Sequence, residues 1–210
     1  MLSRVADSLY WMARSMERAE HSARLLRVRL EAMVEQGDLE SSEEWRRMLH
    51  ALADVQADDP SADPRDITFR VAFDRANPSS TLRSLMAARD NARQVREQIS
   101  SEMWEHINRD YLKLTSMDFD AVWSGSPAQT FIEIGDGIWM FQGITHSTMR
   151  HGEGFDFIEL GTYIERAQAV ARLLDVYLSP PQEDGPKFAA PGYFDWINLL
   201  IGRASCRERV

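Results

Sequence analysis

Apolar residues recur at alternating intervals of three and four along the first part of the chain. They are Leu2, Val5, Leu9, Met12, Met16, Ala19, Ala23, Leu26, Leu30 and Met33. This spacing places them on one stripe of an α-helix, so it predicts a long helix whose stripe faces a partner helix. Gly37 and Asp38 are residues that typically end such a helix.

Similar spacing predicts further helices. They cover residues 42–55, 78–114, 128–151, 155–178 and 191–200, with Asn77 as the N-cap of the helix over 78–114. Residues 66–73 have apolar positions that suit either a short helix or a strand. No hairpin signal or glycine-rich nucleotide loop stands out. The sequence therefore predicts an all-α fold, a bundle of about six to seven helices in one domain over residues 1–200.

The overall composition narrows the function. The 210 residues include 24 basic and 33 acidic side chains, and the net charge of −9 argues against a general nucleic-acid binder. No run of about 18 apolar residues occurs, so we expect no membrane-spanning segment. Residues 1–13 lack the apolar core of a secretion signal, and a single cysteine excludes a disulfide framework. We therefore expect a cytoplasmic protein.

The last ten residues differ in character from the rest of the chain. Residues 201–210 read Ile-Gly-Arg-Ala-Ser-Cys-Arg-Glu-Arg-Val, which resembles one translated frame of a common sequencing-adapter DNA. We interpret this segment as an artefact that stands outside the fold, so Cys206 supports no chemistry. On this hypothesis the natural domain continues beyond Leu200.

The first helix and the helix over 155–178 share a repeat. Residues 16–26 align with residues 164–174, and Glu17-Arg18 matches Glu165-Arg166 at a constant offset of 148 residues (165 − 17). The apolar stripe repeats as well, at Leu160, Ile164, Ala167, Ala171, Leu174 and Leu178. Because small alanines on a stripe allow helices to approach closely, we expect the two helices to pack together about a pseudo-twofold axis.

The charged residues of the repeat have two interpretations. Glu17 and Arg18 stand beside the stripe, so we expect them to be partly buried and therefore paired. The Glu-Arg pairs could form a structural network that fixes the helix register. Alternatively, they could line a cleft that binds an anion or a peptide.

Other charged residues belong to the same candidate set. Glu20 and Arg24 have the i,i+4 spacing of an ion pair, and Arg172 repeats Arg24. A row of arginines on the middle helix is expected to meet Glu17 or Glu165. This row consists of Arg89, Arg93 and Arg96.

Patterns for catalysis or metal binding are weak. A dinuclear metal site in a helical bundle uses Glu-x-x-His, whereas Glu17 and His21, like Glu102 and His106, are four residues apart. The helix row of Asp7, Arg14 and His21 is expected to lie opposite the core. No Ser-His-Asp or Cys-His arrangement is recognisable, so we predict no catalytic residue, metal or cofactor. Core positions are expected for Trp11, Trp104, Trp139, Met86, Met103 and Met140.

Several motifs together resemble a known family. They are residues 1–14, 16–20, 74–80, 88–93, 98–104, 141–143, 150–154 and 163–167. In this order they resemble the bacterial alpha-E family, an all-helical domain of unknown function that is named for its Glu-Arg motif. The resemblance covers residues 1–200.

The resemblance implies site residues and partners. Glu17, Arg18, Glu165 and Arg166 match the naming motif, and the other matching motif positions are Arg89, Asn91, Glu102 and Glu153. Members of the family occur beside, or fused to, circularly permuted ATP-grasp proteins and transglutaminase-like proteins. The resemblance thus implies a non-catalytic accessory or substrate-presenting partner of an ATP-grasp ligase in peptide or amide-bond formation.

Two alternatives remain open at the level of sequence. The chain could be an enzyme in its own right that uses Glu17 and Glu165 for acid/base chemistry on an amide-type substrate. It could also be a purely structural interaction domain.

Overall fold

The computed structural model describes residues 1–36, 42–52 and 63–178. The helices are α1 (Ser3–Gln36), α2 (Ser42–Leu52), α3 (Pro64–Ala72), α4 (Thr81–Gln94), α5 (Ser101–Ser116), α6 (Phe119–Ser124), α7 (Pro127–Thr148) and α8 (Glu153–Leu178). These ranges contain no strand, which confirms the all-α class, and they hold eight helices rather than six or seven. The helix end predicted at Gly37, the helix predicted over 191–200 and the segment 201–210 lie outside the described residues.

Helix α1 is the centre of the bundle. Helices α8, α4 and α7 pack against it. The stripe of α1 is at most 2% exposed at Leu9, Met12, Met16, Ala19, Ala23, Leu26 and Leu30. Removing this apolar surface from water stabilises the fold. The predicted inward face is confirmed for these residues, whereas Leu2, at the start of the predicted stripe, is 74% exposed.

Helices α1 and α8 run parallel, in the register of the repeat. Near their N-terminal ends the amino group of Met1 donates to Glu153, and near their C-terminal ends Arg29 donates to the hydroxyl of Tyr177 at 2.5 Å. Arg29 and Tyr177 are 148 residues apart and thus occupy equivalent positions. Contact between equivalent positions is what a pseudo-twofold axis along two parallel helices produces.

The close approach of α1 and α8 lies at Gly161. A Cβ built on Gly161 would be 3.2 Å from the Cβ of Ala13, its counterpart in the repeat, and would clash with the carbonyl oxygen of Tyr10. Small residues at these two equivalent positions therefore bring the backbones together. The alanines of the stripe on α8, which we expected to do this, are exposed instead.

The repeated stripe on α8 is largely exposed. Leu160, Leu174 and Leu178 are 48%, 40% and 61% exposed, and the alanines between them are exposed too. Helix α8 instead buries Phe155, Ile158, Gly161, Glu165, Leu173 and Tyr177. The two stripes therefore have equivalent sequence positions but opposite environments.

The single helix predicted over 78–114 is two helices, α4 and α5. Val95 leaves the helical conformation after Gln94, with φ −122° and ψ 27°. The hydroxyl of Ser100 accepts a hydrogen bond from the amide of Met103 at 3.2 Å and starts α5. Apolar residues are buried on both sides of the break, at Leu82, Leu85, Ala92, Ile99, Met103 and Ile107.

The N-cap of α4 is Ser80 and not Asn77. The hydroxyl of Ser80 accepts from the amide of Arg83 at 3.2 Å. Asn77 fixes the preceding turn, because its side chain accepts from the Ser79 amide and donates to the Arg70 carbonyl, each at 2.9 Å. Asn77 thus joins the end of α3 to the start of α4.

The shorter helices agree in part with the prediction from the sequence. Residues 66–73, which suited a helix or a strand, lie in α3 and at its C-cap, and Pro64 is the first residue of α3. Helix α2 buries Trp45, Met48, Leu49 and Leu52. Helix α6 lies between the helices predicted over 78–114 and 128–151.

Some residues predicted in the core are exposed. Trp11 and Met140 are 40% and 58% exposed, whereas Met103 is fully buried; Met86, Trp104 and Trp139 are half-buried. Within the described ranges, no helix is long and apolar enough to cross a membrane.

Candidate functional site

The two Glu-Arg dipeptides pair reciprocally between α1 and α8. Arg166 donates to Glu17 through Nε and Nη2 at 2.6 and 2.9 Å. Arg18 donates to Glu165 in the same way, at 2.7 and 3.1 Å. Both contacts are two-point fork contacts, the strongest geometry for an arginine and a carboxylate. Each dipeptide therefore supplies the carboxylate for the guanidinium of the other, as pseudo-twofold packing requires.

The Glu17 side of this helix pair is closed by α7. Glu17 is 2% exposed, and Gln142 donates to it at 3.4 Å. One turn further along α1, Glu20 and Arg24 form the predicted i,i+4 ion pair at 3.2 Å, and both side chains are buried. Burial raises the pKa of Glu20, and the charge of Arg24 opposes this rise.

The Glu165 side carries a second arginine from α1. Arg14 donates from Nε to Glu165 at 2.7 Å, and it also binds the Tyr10 hydroxyl and the Gln168 carbonyl oxygen. Burial alone would raise the pKa of Glu165, but the hydrogen bonds and charges of Arg18 and Arg14 hold it below its ordinary value. Glu165 is therefore an ionised acceptor shared by two guanidinium groups.

The helix row that we placed opposite the core is largely buried at two of its three residues. His21 is 5% exposed, and the side chain of Arg14 is 11% exposed. The expectation is therefore wrong for both residues. The error arises because α1 is surrounded by other helices, so that an apolar stripe does not define its only buried face.

A cleft of about 130 Å³ opens beside Glu165. Arg14 and Arg18 border it from α1, Arg172 borders it from α8, and α2 supplies the aliphatic side chains of Ala51 and Leu52. Arg172 is exposed and makes no hydrogen bond or ion pair to another described residue. The cleft therefore contains a guanidinium that can receive an anion.

The arginine row of the middle helix lies elsewhere. Arg89 donates to Asn108 at 2.8 Å and stands over the ring of Trp104. Arg96 also stands over Trp104, and Arg93 is exposed. These arginines pack on aromatic rings of α5 or face solvent, so the expected contact with the glutamates of the repeat is wrong.

The remaining positions implied by the resemblance are also apart from the repeat. Asn91 donates to the carbonyl of Ala87 within α4. Glu102 is exposed in the first turn of α5, and Glu153 is exposed at the start of α8, where it accepts from Met1 at 2.8 Å. These residues act locally at helix surfaces and ends.

Sequence reasoning missed a buried polar cluster between α1, α2 and α8. Arg29 donates to both Glu44 and Tyr177, and the Tyr177 hydroxyl donates to Glu44 at 2.9 Å. Burial raises the pKa of this hydroxyl. The repeat offset relates Arg29 to Tyr177, but the unlike side chains conceal this relation in the sequence.

A second missed cluster joins α5 to α7. The Nε2 atom of His106 lies 2.7 Å from the Gly137 carbonyl oxygen and 3.3 Å from Asp110. The hydrogen bond to Asp110, together with that to Gly137, raises the pKa of His106 against the effect of burial. Among the described residues, no group of three His, Cys, Asp or Glu side chains is arranged to hold a metal ion.

Comparison with known proteins gives one family and several relatives. The family model Alpha-E, described as a predicted alpha-helical domain with a conserved ER motif, matches residues 1–206. The chain is similar to uncharacterised proteins of Mycobacterium bovis and Mycobacterium tuberculosis, with 28% identity over 202 residues in each case. The match covers 84% of the chain but 22% of each relative, so the chain spans about a fifth of their length. No solved structure gives a significant match.

Proposed function

Because this chain belongs to the Alpha-E family of alpha-helical domains with an ER motif, we propose that it is a non-catalytic accessory domain of an ATP-grasp ligase. The partner is a circularly permuted ATP-grasp protein that forms peptide or amide bonds, and it supplies the ATP chemistry. A transglutaminase-like protein is a further partner in this proposal. Both partners follow from the resemblance to the family, and the complex works in the cytoplasm.

The observation that carries the proposal is the exposed apolar face of α8. We call Leu160, Tyr163, Leu174 and Leu178 the α8 stripe; they are 40% to 61% exposed and lie on one side of the helix. The equivalent positions on α1 are buried under other helices. An apolar face of this kind is typical of a surface that another protein or domain covers.

The Glu-Arg pairs support a positioning role rather than acid/base catalysis. A general base needs an acceptor oxygen within reach of the substrate proton. Glu17 and Glu165 each have both oxygens engaged by guanidinium groups. The pairs hold α8 against α1 in a fixed register, and this arrangement leaves the α8 stripe facing outward.

The length of the relatives also supports an accessory role. In the mycobacterial proteins, most of the polypeptide lies outside the stretch that resembles this chain. A helical domain within such a long polypeptide has other parts of the protein to contact. An interaction surface is therefore expected on the domain, and the α8 stripe has the apolar character of one.

Co-expression tests the proposal directly. The chain would be co-expressed with a circularly permuted ATP-grasp protein from the same genome, and the complex would be isolated by affinity purification and size-exclusion chromatography. We expect a complex with the unaltered chain. Leu174→Glu should abolish it, because a charge would then have to be buried in an apolar contact.

A matched control uses the same substitution on another exposed leucine. Leu112 on α5 is 53% exposed and lies outside the α8 stripe, so Leu112→Glu should leave the complex intact. Circular dichroism of both variants establishes that they are folded. The proposal fails if the unaltered chain forms no complex, or if Leu174→Glu binds as well as Leu112→Glu.

A further inference from the structure

The cleft beside Glu165 contains more positive than negative charge. Arg14, Arg18 and Arg172 border it, and Glu165 is the one carboxylate among the described residues of its lining. Glu165 already accepts hydrogen bonds from Arg14 and Arg18. Among the described residues of the lining, Arg172 thus has no carboxylate partner, in a protein whose overall charge is −9.

The internal repeat shows which group the cleft lacks. On α1, Arg24 is paired with Glu20 at 3.2 Å. The counterparts on α8 are Arg172 and Gln168, so a neutral amide replaces the carboxylate. The amide oxygen of Gln168 is used by Arg14. Within the described ranges, the arginine at this helix position therefore has a carboxylate partner on α1 but not on α8.

We propose that this cleft binds the carboxylate of an external ligand, with Arg172 as its principal contact. A guanidinium group binds a planar carboxylate through two parallel N–H groups. The ligand carboxylate takes the place beside Arg172 that Glu20 takes beside Arg24. This binding site is separate from the docking role proposed above and is measurable on the chain alone.

The size of the cleft selects the kind of ligand. Its volume of about 130 Å³ is well below that of pockets that enclose a whole small molecule, which begin at roughly 300 Å³. The cleft therefore holds only one end of a ligand. The aliphatic side chains of Ala51, Leu52 and Ala169 border the charged groups and suit a small apolar residue next to the carboxylate. The carboxyl-terminal residue of a peptide has this chemistry.

The probe for this site is N-acetyl-alanyl-alanine with a free carboxyl group. Its C-terminal amide is the matched control, because the two peptides differ in charge and hardly in size. Binding would be followed by NMR chemical shifts of the chain or by calorimetry. We expect the acid to bind at least about tenfold more tightly than the amide, since the amide cannot form the charged two-point contact.

Two variants test the assignment to Arg172. Arg172→Ala removes the guanidinium, and Gln168→Glu installs the carboxylate that α1 has at the equivalent position. Each should weaken binding of the acid by at least about tenfold. Arg93→Ala removes an exposed guanidinium outside the cleft and should leave binding unchanged. Residues 168 and 172 are exposed, so we expect both variants to fold, which circular dichroism checks.

Three results would overturn the proposal. The first is that acid and amide bind equally or that neither binds. The second is that folded Arg172→Ala and Gln168→Glu both bind like the unaltered chain. The third is that inorganic phosphate, tested in parallel, binds more tightly than the acid peptide, because the cleft would then be a phosphate site.

Discussion

Glu17 shows how this fold accommodates a buried charge. The carboxylate is 2% exposed and accepts two hydrogen bonds from Arg166 and one from Gln142. These contacts replace the water that the carboxylate loses on folding. The net stability from such a pair is modest, but the loss of one partner leaves the other charge poorly compensated.

Glu17→Gln is therefore expected to lower the free energy of unfolding by about 2 kcal/mol. The amide keeps the volume of the side chain, so packing is preserved while the charge of Arg166 loses its counterion. Urea denaturation measures the change. Glu133→Gln is the control, because Glu133 forms an exposed pair with Lys113. This substitution should lower the free energy of unfolding by less than about 1 kcal/mol. Equal effects of the two substitutions would contradict a stabilising role of the Glu17 pair.

His106 gives the protein a pH-dependent stability. Its pKa is raised above the ordinary 6.5 by the hydrogen bond to Asp110, with a further contribution from the Gly137 carbonyl. The folded state therefore holds the proton more tightly than the unfolded state. The resulting stability is complete below the unfolded pKa and is lost as the pH rises through the folded one.

We expect the urea midpoint of the chain to fall as the pH rises above about 6.5, and this fall to be smaller in His106→Gln. Glutamine can still donate to the Gly137 carbonyl, but it does not titrate. The difference between the two pH profiles isolates the contribution of His106 from that of other titrating groups. Parallel profiles would show that His106 is not responsible.

At the scale of the helices, Gly161 sets the distance between α1 and α8. A methyl group there would meet the Tyr10 carbonyl and the Ala13 side chain. Gly161→Ala should therefore cost about 1 to 3 kcal/mol in the free energy of unfolding, because two packed backbones would have to separate. Gly143→Ala on α7 is the control; nothing lies within 4 Å of its added Cβ. That variant should gain up to about 1 kcal/mol from helix propensity.

Urea denaturation measures the change in the free energy of unfolding for both glycine variants. We expect a decrease for Gly161→Ala and an increase for Gly143→Ala. A stabilising Gly161→Ala would mean that the helices separate freely at this point. In that case, small residues would not fix the register in which Glu17 meets Arg166.

Apolar spacing predicts which residues face inward but is insensitive to where helices break. Ile99 and Met103 are both buried, so the periodic pattern continues across the gap between α4 and α5. The start of α5 is marked by one hydrogen bond, from the Met103 amide to the Ser100 hydroxyl. Serine alone does not predict such a cap, because it occurs in many other contexts.

The sequence predicts only those contacts of the candidate site that follow from the repeat. The repeat predicts that α1 and α8 pack together and that Glu17 and Arg18 are paired. It does not predict that Arg14 shares Glu165 with Arg18, because Arg14 has no charged counterpart at position 162. Partner choice among arginines depends on three-dimensional geometry, which the spacing along one helix does not contain.

At the scale of the whole molecule, α1 and α8 are related by the repeat, but other helices cover them to different extents. Helix α1 contacts α4, α7 and α8, whereas α8 packs mainly on α1 and α2 within the described residues. The equivalent apolar residues Leu26 and Leu174 are thus 0% and 40% exposed. Folding therefore removes the stripe of α1 from water almost completely, whereas the α8 stripe stays partly exposed and retains apolar surface for a contact.

Leucine-to-alanine substitutions at this equivalent pair test the asymmetry. Leu26→Ala should lower the free energy of unfolding by about 2 to 5 kcal/mol, since it leaves a cavity in the core. Leu174→Ala should cost less than about 1 kcal/mol, because much of the side chain is already in contact with water. Urea denaturation of the two variants in the same chain measures both values. If Leu174→Ala were as destabilising as Leu26→Ala, the α8 stripe would already be covered in the folded chain. It would then be unavailable to an ATP-grasp partner.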